Sequence, residues 1–129
     1  MRDSPGSDLT DRTREFALRV VRLYSVLPRC RQALVMGDQL LRSGTSVGAH
    51  FREALRARSK IEYVAKLNSG LMELEESLYW MELLLGSGTF GPRRLDPLMK
   101  EAESLISIFV SIIKRHRPGT RSRTRSIRR

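Results

Sequence analysis

The stretch SKIEYVAKLNSGLMELEESLYWMELLLG, residues 59–86, carries its apolar residues in a pattern that decides the fold. Val64, Leu67, Leu71, Leu74, Leu78, Met81 and Leu85 follow one another at intervals of 3, 4, 3, 4, 3 and 4. A helix brings such positions onto one face, whereas a strand scatters them over both. The spacing therefore predicts a long helix with a continuous core seam. Ser59 and Glu62 stand at the capping-box separation, which marks its start, and Gly86-Ser87-Gly88 marks its end.

The same logic extends outward. Downstream, Leu98, Met99, Ala102, Leu105, Ile106, Phe109, Ile112 and Ile113 form a wide apolar stripe. Pro92 and Pro97 bracket the beginning of that helix, with Asp96 as a candidate cap, and Pro118-Gly119 closes it. Upstream, Phe16, Val20, Leu23, Tyr24 and Leu27 predict a helix from about Asp11 to Leu27, stopped by Pro28. A second helix begins near Arg31 and meets Ser43-Gly44-Thr45-Ser46-Val47-Gly48. Two glycines and three hydroxyl residues are poor helix formers, so a kink or brief break is expected there. A glycine in this stretch also allows a neighbouring helix to approach closely. Strand signals are absent, with no alternating β-branched run and no Asn-Gly turn. Four helices joined by short loops predict an all-α, antiparallel up-down four-helix bundle. The expected division is a flexible segment at 1–10, the bundle at 11–116 and a disordered basic tail at 117–129.

Charge is unevenly distributed. The chain carries 24 Lys+Arg against 14 Asp+Glu, a formal net charge of +10, and an isoelectric point near 11.0. Residues 114–129 hold eight basic residues and no acidic one. Residues 12–66 have a net charge of +8 and residues 67–113 a net charge of −4. This balance points to a polyanion, and nucleic acid, RNA above all, is the expected partner. Candidate contacts are Arg12, Arg19 and Arg22, which share an arc of roughly 80° on the first helix. They are joined by Arg42, Arg52, Arg56, Arg58 and Lys60, and by Arg115, Arg117, Arg121, Arg123, Arg125, Arg128 and Arg129. On one uninterrupted helix Arg42, Arg52, Arg56 and Lys60 would also fall within an arc of roughly 80°. Arginine chelates phosphate and stacks on bases.

Met72, Tyr79, Trp80 and Leu83 lie off the 64–85 seam and are the expected subunit interface. A basic first half and an acidic second half suit heterologous contacts between copies, which close into rings when the rotation permits.

Catalytic signatures are missing. His50 and Glu53 are spaced i, i+3 once only, whereas a di-iron bundle needs a Glu-x-x-His motif on two helices and two further carboxylates. Cys30 stands alone, so no intramolecular disulfide forms, in keeping with a reducing cytoplasm. No enzyme activity, cofactor or metal is expected. No apolar run approaches the roughly 18–20 residues of a membrane span, and residues 1–10 do not read as a signal peptide.

Several of these segments resemble a known family. Arg42-Ser43-Gly44-Thr45-Ser46-Val47-Gly48-Ala49-His50-Phe51-Arg52-Glu53-Ala54, followed by Arg56-Ala57-Arg58-Ser59, resembles the signature of the bacterial four helix bundle proteins. These were first noticed in intervening sequences of 23S ribosomal RNA genes. Glu73 to Leu84 and Glu101 to Leu105 are similar to the same family. The likeness covers about residues 12–116. It departs at Gly48 and His50, where many members have Pro and Asn, and in the tail after Arg117. The resemblance implies a ring-shaped homopentamer. The accessory protein of diversity-generating retroelements is similar in fold. That likeness implies a basic barrel that binds a reverse transcriptase and its RNA.

Overall fold

The computed structural model describes residues 5–116. Four helices make up the bundle: α1 (Pro5–Ser25), α2 (Arg31–Leu55), α3 (Lys60–Gly86) and α4 (Pro92–His116). No strand occurs among the described residues.

α1 starts at Pro5 rather than Asp11. The extra turn is stabilised by Leu9, only 3% exposed, and by Asp8 at the positive end of the helix dipole. Thr13, fully buried one turn later, donates its hydroxyl to the Leu9 carbonyl at 2.8 Å. The regular helix ends at Ser25, yet Leu27 remains buried through a tight turn in which its amide bonds to the Tyr24 carbonyl at 3.2 Å.

α2 shows no break at Ser43–Gly48, contrary to the expectation from propensity. Its glycines serve packing. A Cβ on Gly44 would lie 2.9 Å from a Val20 methyl, and one on Gly48 would lie 3.1 Å from the Thr13 hydroxyl. Gly37 is similarly filled by Leu27. α1 thus lies directly on the α2 backbone, and burial of both faces outweighs the cost of about 1 kcal/mol per helical glycine. The hydroxyls bond within the helix: Thr45 donates to the Leu41 carbonyl at 2.7 Å and Ser46 to that of Arg42 at 2.8 Å.

The α3 seam is shifted from the expected one. Leu67, Leu74 and Met81 are buried as anticipated, but the buried positions that follow each of them are Gly70, Ser77 and Leu84. Leu71, Leu78 and Leu85 are only partly buried beside the core. The small residues admit neighbours: Phe109 of α4 fills the space above Gly70, and Ser77 meets Ser43 of α2 hydroxyl to hydroxyl at 2.8 Å. An apolar count along the chain favours the leucines, whereas close helix approach selects the small side chains. The capping box forms in altered form. Ser59 Oγ accepts the Glu62 amide at 3.0 Å, while the Glu62 carboxylate accepts the amide of Arg58, not Ser59, at 3.1 Å.

α4 begins at Pro92, so Asp96 is not its cap and Pro97 lies inside the helix. The Gly91 carbonyl starts the ladder by accepting the amides of Arg94 and Leu95, both at 3.2 Å.

Each helix packs on its neighbour in the chain, and α4 returns to α1 through the loosest of the helix pairings. No close backbone approach is made across either diagonal. Side chains bridge that space instead: the fully buried rings of Phe51 on α2 and Phe109 on α4 lie 5.9 Å apart at a tilt.

Candidate nucleic-acid interface

The α2–α3 connection presents Arg52, Arg56, Arg58 and Lys60, all exposed. Arg52 sits in the last turn of α2, where cations complement the negative end of the dipole. Arg56 is the C-cap, its amide bonding to the Glu53 carbonyl at 3.1 Å. Across the bundle, Tyr63 of α3 stacks edge-on against His116 at the end of α4, with ring centroids 5.2 Å apart. The contact brings the α4 terminus, with exposed Lys114 and Arg115, to the same end of the molecule. None of these six cations makes an ion pair among the described residues. Arg117, Arg121, Arg123, Arg125, Arg128 and Arg129 lie outside the described residues.

Other candidate arginines are engaged within the bundle. Arg12 forks onto Glu101 of α4, Nε to Oε2 at 3.0 Å and Nη2 to Oε1 at 2.9 Å, and also donates to Ser104 Oγ at 3.1 Å. The hydrogen bond to Glu101 pushes the Arg12 pKa above its already high ordinary value. Its guanidinium thus has little left to offer a phosphate. Arg42 bridges α2 to α3 through Glu76 and, at 3.7 Å, Glu73. The arc that Arg42, Arg52, Arg56 and Lys60 would share on one uninterrupted helix is therefore cut between α2 and α3. α2 ends at Leu55, Lys60 opens α3, and Arg42 is drawn onto carboxylates.

The Arg42 pair belongs to a polar network along the α2–α3 seam. His50 stands between Glu53 (Nδ1 to Oε1, 3.3 Å) and Glu73 (Nε2 to Oε2, 3.6 Å), and Lys66 reaches Glu53 at 3.3 Å. The i, i+3 spacing of His50 and Glu53 thus resolves into a chain of polar contacts along the seam. Hydrogen bonds from Lys66 and then His50 hold the Glu53 carboxyl below the usual carboxylate range. Glu76 is lowered by a hydrogen bond from the Trp80 indole, at 3.1 Å, and then by Arg42.

Of the expected interface residues, Met72 is 68% and Tyr79 52% exposed, seven residues apart on α3. Trp80 is partly buried against the core and meets Tyr79 edge-on, and Leu83 is half-buried.

Two cations escaped the sequence reading. Arg93 and Arg94 fall in the acidic half of the chain, but both occupy the first turn of α4, and Arg94 comes beside Arg19 and Arg22 of α1. Cations at the positive end of a helix dipole, in a first turn lacking any acidic residue, were the available signal.

Among known proteins, the chain is similar to a protein of unknown function from the S23 ribosomal protein family of Bacteroides thetaiotaomicron. The identity is 37%, the TM-score 0.79, and the match covers 84% of this chain and 97% of that one. No curated protein matches. The family model for the 23S rRNA-intervening sequence protein matches residues 7–111, nearly the whole bundle. The chain belongs to the 23S rRNA-intervening sequence protein family.

Proposed function

We propose that this chain is a non-enzymatic, nucleic-acid-binding accessory protein that prefers RNA. We further propose that it works as a ring of antiparallel up-down bundles, five being the number that its resemblance implies. The observation that carries this reading is the basic end. Arg52, Arg56, Arg58 and Lys60 share it with Lys114 and Arg115, and no carboxylate among the described residues pairs with them. Unpaired arginines at one end are matched to a phosphate backbone, and each neutralised phosphate releases counterions. Residues 117–129 follow directly after His116 and add six more arginines to the same charge.

The test is a titration of the full chain with single-stranded RNA and with DNA of equal length, at several salt concentrations. Binding at about 50 mM salt that weakens steeply with added salt is expected. Deleting residues 117–129, or replacing Arg52 and Arg56 by Gln, should weaken binding and flatten the salt slope. Absence of binding by the full chain in dilute salt overturns the reading.

A second reading is a scaffold that docks a partner enzyme such as a reverse transcriptase. The exposed Met72 and Tyr79 favour it, because a paired apolar surface on one helix is suited to a protein contact. The same residues, with Trp80 and Leu83, are the proposed contact between copies. Light scattering of Met72→Lys and Tyr79→Lys against the unaltered chain separates the two. A drop to monomer assigns the face to self-association, and an unchanged mass leaves it to another protein.

A further inference from the structure

The seam between α1 and α4 holds a second concentration of arginine, distinct from the basic end. Arg19 and Arg22 of α1 and Arg94 of α4 line one open pocket of about 240 Å³, with the buried Leu23 and Leu98 between them. Arg19 and Arg22 are three residues apart and so share a helix face. Arg94 approaches from the first turn of the opposing helix. Arg19 and Arg94 make no ion pair among the described residues. The Arg94 guanidinium lies over the Phe90 ring at 5.6 Å, a cation–π contact that uses none of its N–H groups as donors to a carboxylate. Arg22 meets one carboxylate, Glu15, at 2.8 Å, in a pair exposed on both sides and therefore easily exchanged.

The electrostatics of α4 add an independent argument. Its first turn contains Arg93 and Arg94 and no acidic residue, and Gly91 before it carries no side chain that could cap the turn. Positive charge is thus stacked on the positive end of a helix dipole. An anion in the adjacent pocket would relieve that repulsion and meet the guanidinium groups of Arg19 and Arg94, with Arg22 joining on exchange from Glu15. Tetrahedral, multiply charged oxyanions match such a set better than a single carboxylate does.

We propose that the Arg19–Arg22–Arg94 pocket is a phosphate site that takes one phosphate group, either from an RNA backbone or free in solution. For the first source the proposal rests on the nucleic-acid reading above; for the second it stands alone.

The experiment follows the arginine Nε–Hε resonances of the full chain by NMR while inorganic phosphate is added, and separately titrates a short single-stranded RNA. Phosphate should shift Arg19 and Arg94 saturably, and Arg94→Gln should abolish the response while Arg52→Gln should not. In the RNA arm, Arg19→Gln combined with Arg94→Gln should weaken binding roughly 3- to 10-fold and reduce the salt slope by about one. If phosphate saturates the pocket but RNA does not bind the unaltered chain, the site is one for free phosphate and the nucleic-acid reading fails by itself. If phosphate shifts all arginines alike without saturation, the pocket proposal is overturned, whatever RNA does.

Discussion

The α2–α3 and α1–α4 seams of this bundle are built on opposite principles. α2 and α3 approach closely and line their contact with interacting polar groups: Ser43 with Ser77, Arg42 with Glu76, His50 between Glu53 and Glu73, although the buried Glu73 Oε1 accepts no hydrogen bond among the described residues. α1 and α4 pair loosely, are bridged by Arg12 and Glu101, and leave arginine-lined space beyond that bridge. A tight seam spends its charges internally and holds the fold. The loose one leaves Arg19 and Arg94 without a carboxylate partner among the described residues. The difference shows why counting arginines on a helix face overstates a binding surface: a cation beside a carboxylate on the next helix is already neutralised.

The comparison breaks most completely at the residue that ties the tight seam to α4. Phe109→Ala should lower stability by about 3–5 kcal/mol, because the ring fills the space over Gly70 and reaches Phe51. Urea unfolding followed by circular dichroism measures the loss. Next in size, Ser43→Ala or Ser77→Ala should each cost about 1–2 kcal/mol by stranding the partner hydroxyl. The double variant should cost less than the sum, and a double-mutant cycle checks this. On the loose seam, Arg12→Gln should cost only about 1 kcal/mol, since the pair with Glu101 is partly solvated. RNA affinity should stay within about twofold if Arg12 is as fully engaged as its geometry indicates.

The smallest effect concerns acid. Glu53 and Glu76 titrate below the ordinary value of 4.5 when folded. They bind protons less readily in the folded chain, so their contribution is complete above that value and is lost as pH falls through the lower folded values. A modest decline in Tm below about pH 4.5, diminished in Glu76→Gln, is the expected result. A Tm indifferent to pH in that range would erase the distinction drawn between the seams.

Much of the bundle was legible from spacing. Leu67, Leu74 and Met81 were correctly assigned to the core, and Ser59 capped α3 as its position required. The misplaced features share one cause. Gly44 and Gly48 read as a break, and Gly70 and Ser77 were passed over in favour of leucines. Propensity and hydrophobicity describe one helix at a time, while these small residues matter through the helix laid against them. The candidate site was harder to read. Arg52, Arg56, Arg58 and Lys60 could be found from local charge, but their meeting with Lys114 and Arg115, and that of Arg94 with Arg19, spans long separations in the chain.

The linear order of residues was sufficient to determine four amphipathic helices, because apolar periodicity and caps act over a few neighbouring positions. It also determined the excess of positive charge. Only the tertiary structure decided which arginines remain unpaired, since each guanidinium is neutralised or left free by whatever side chain the adjacent helix brings within a few ångströms.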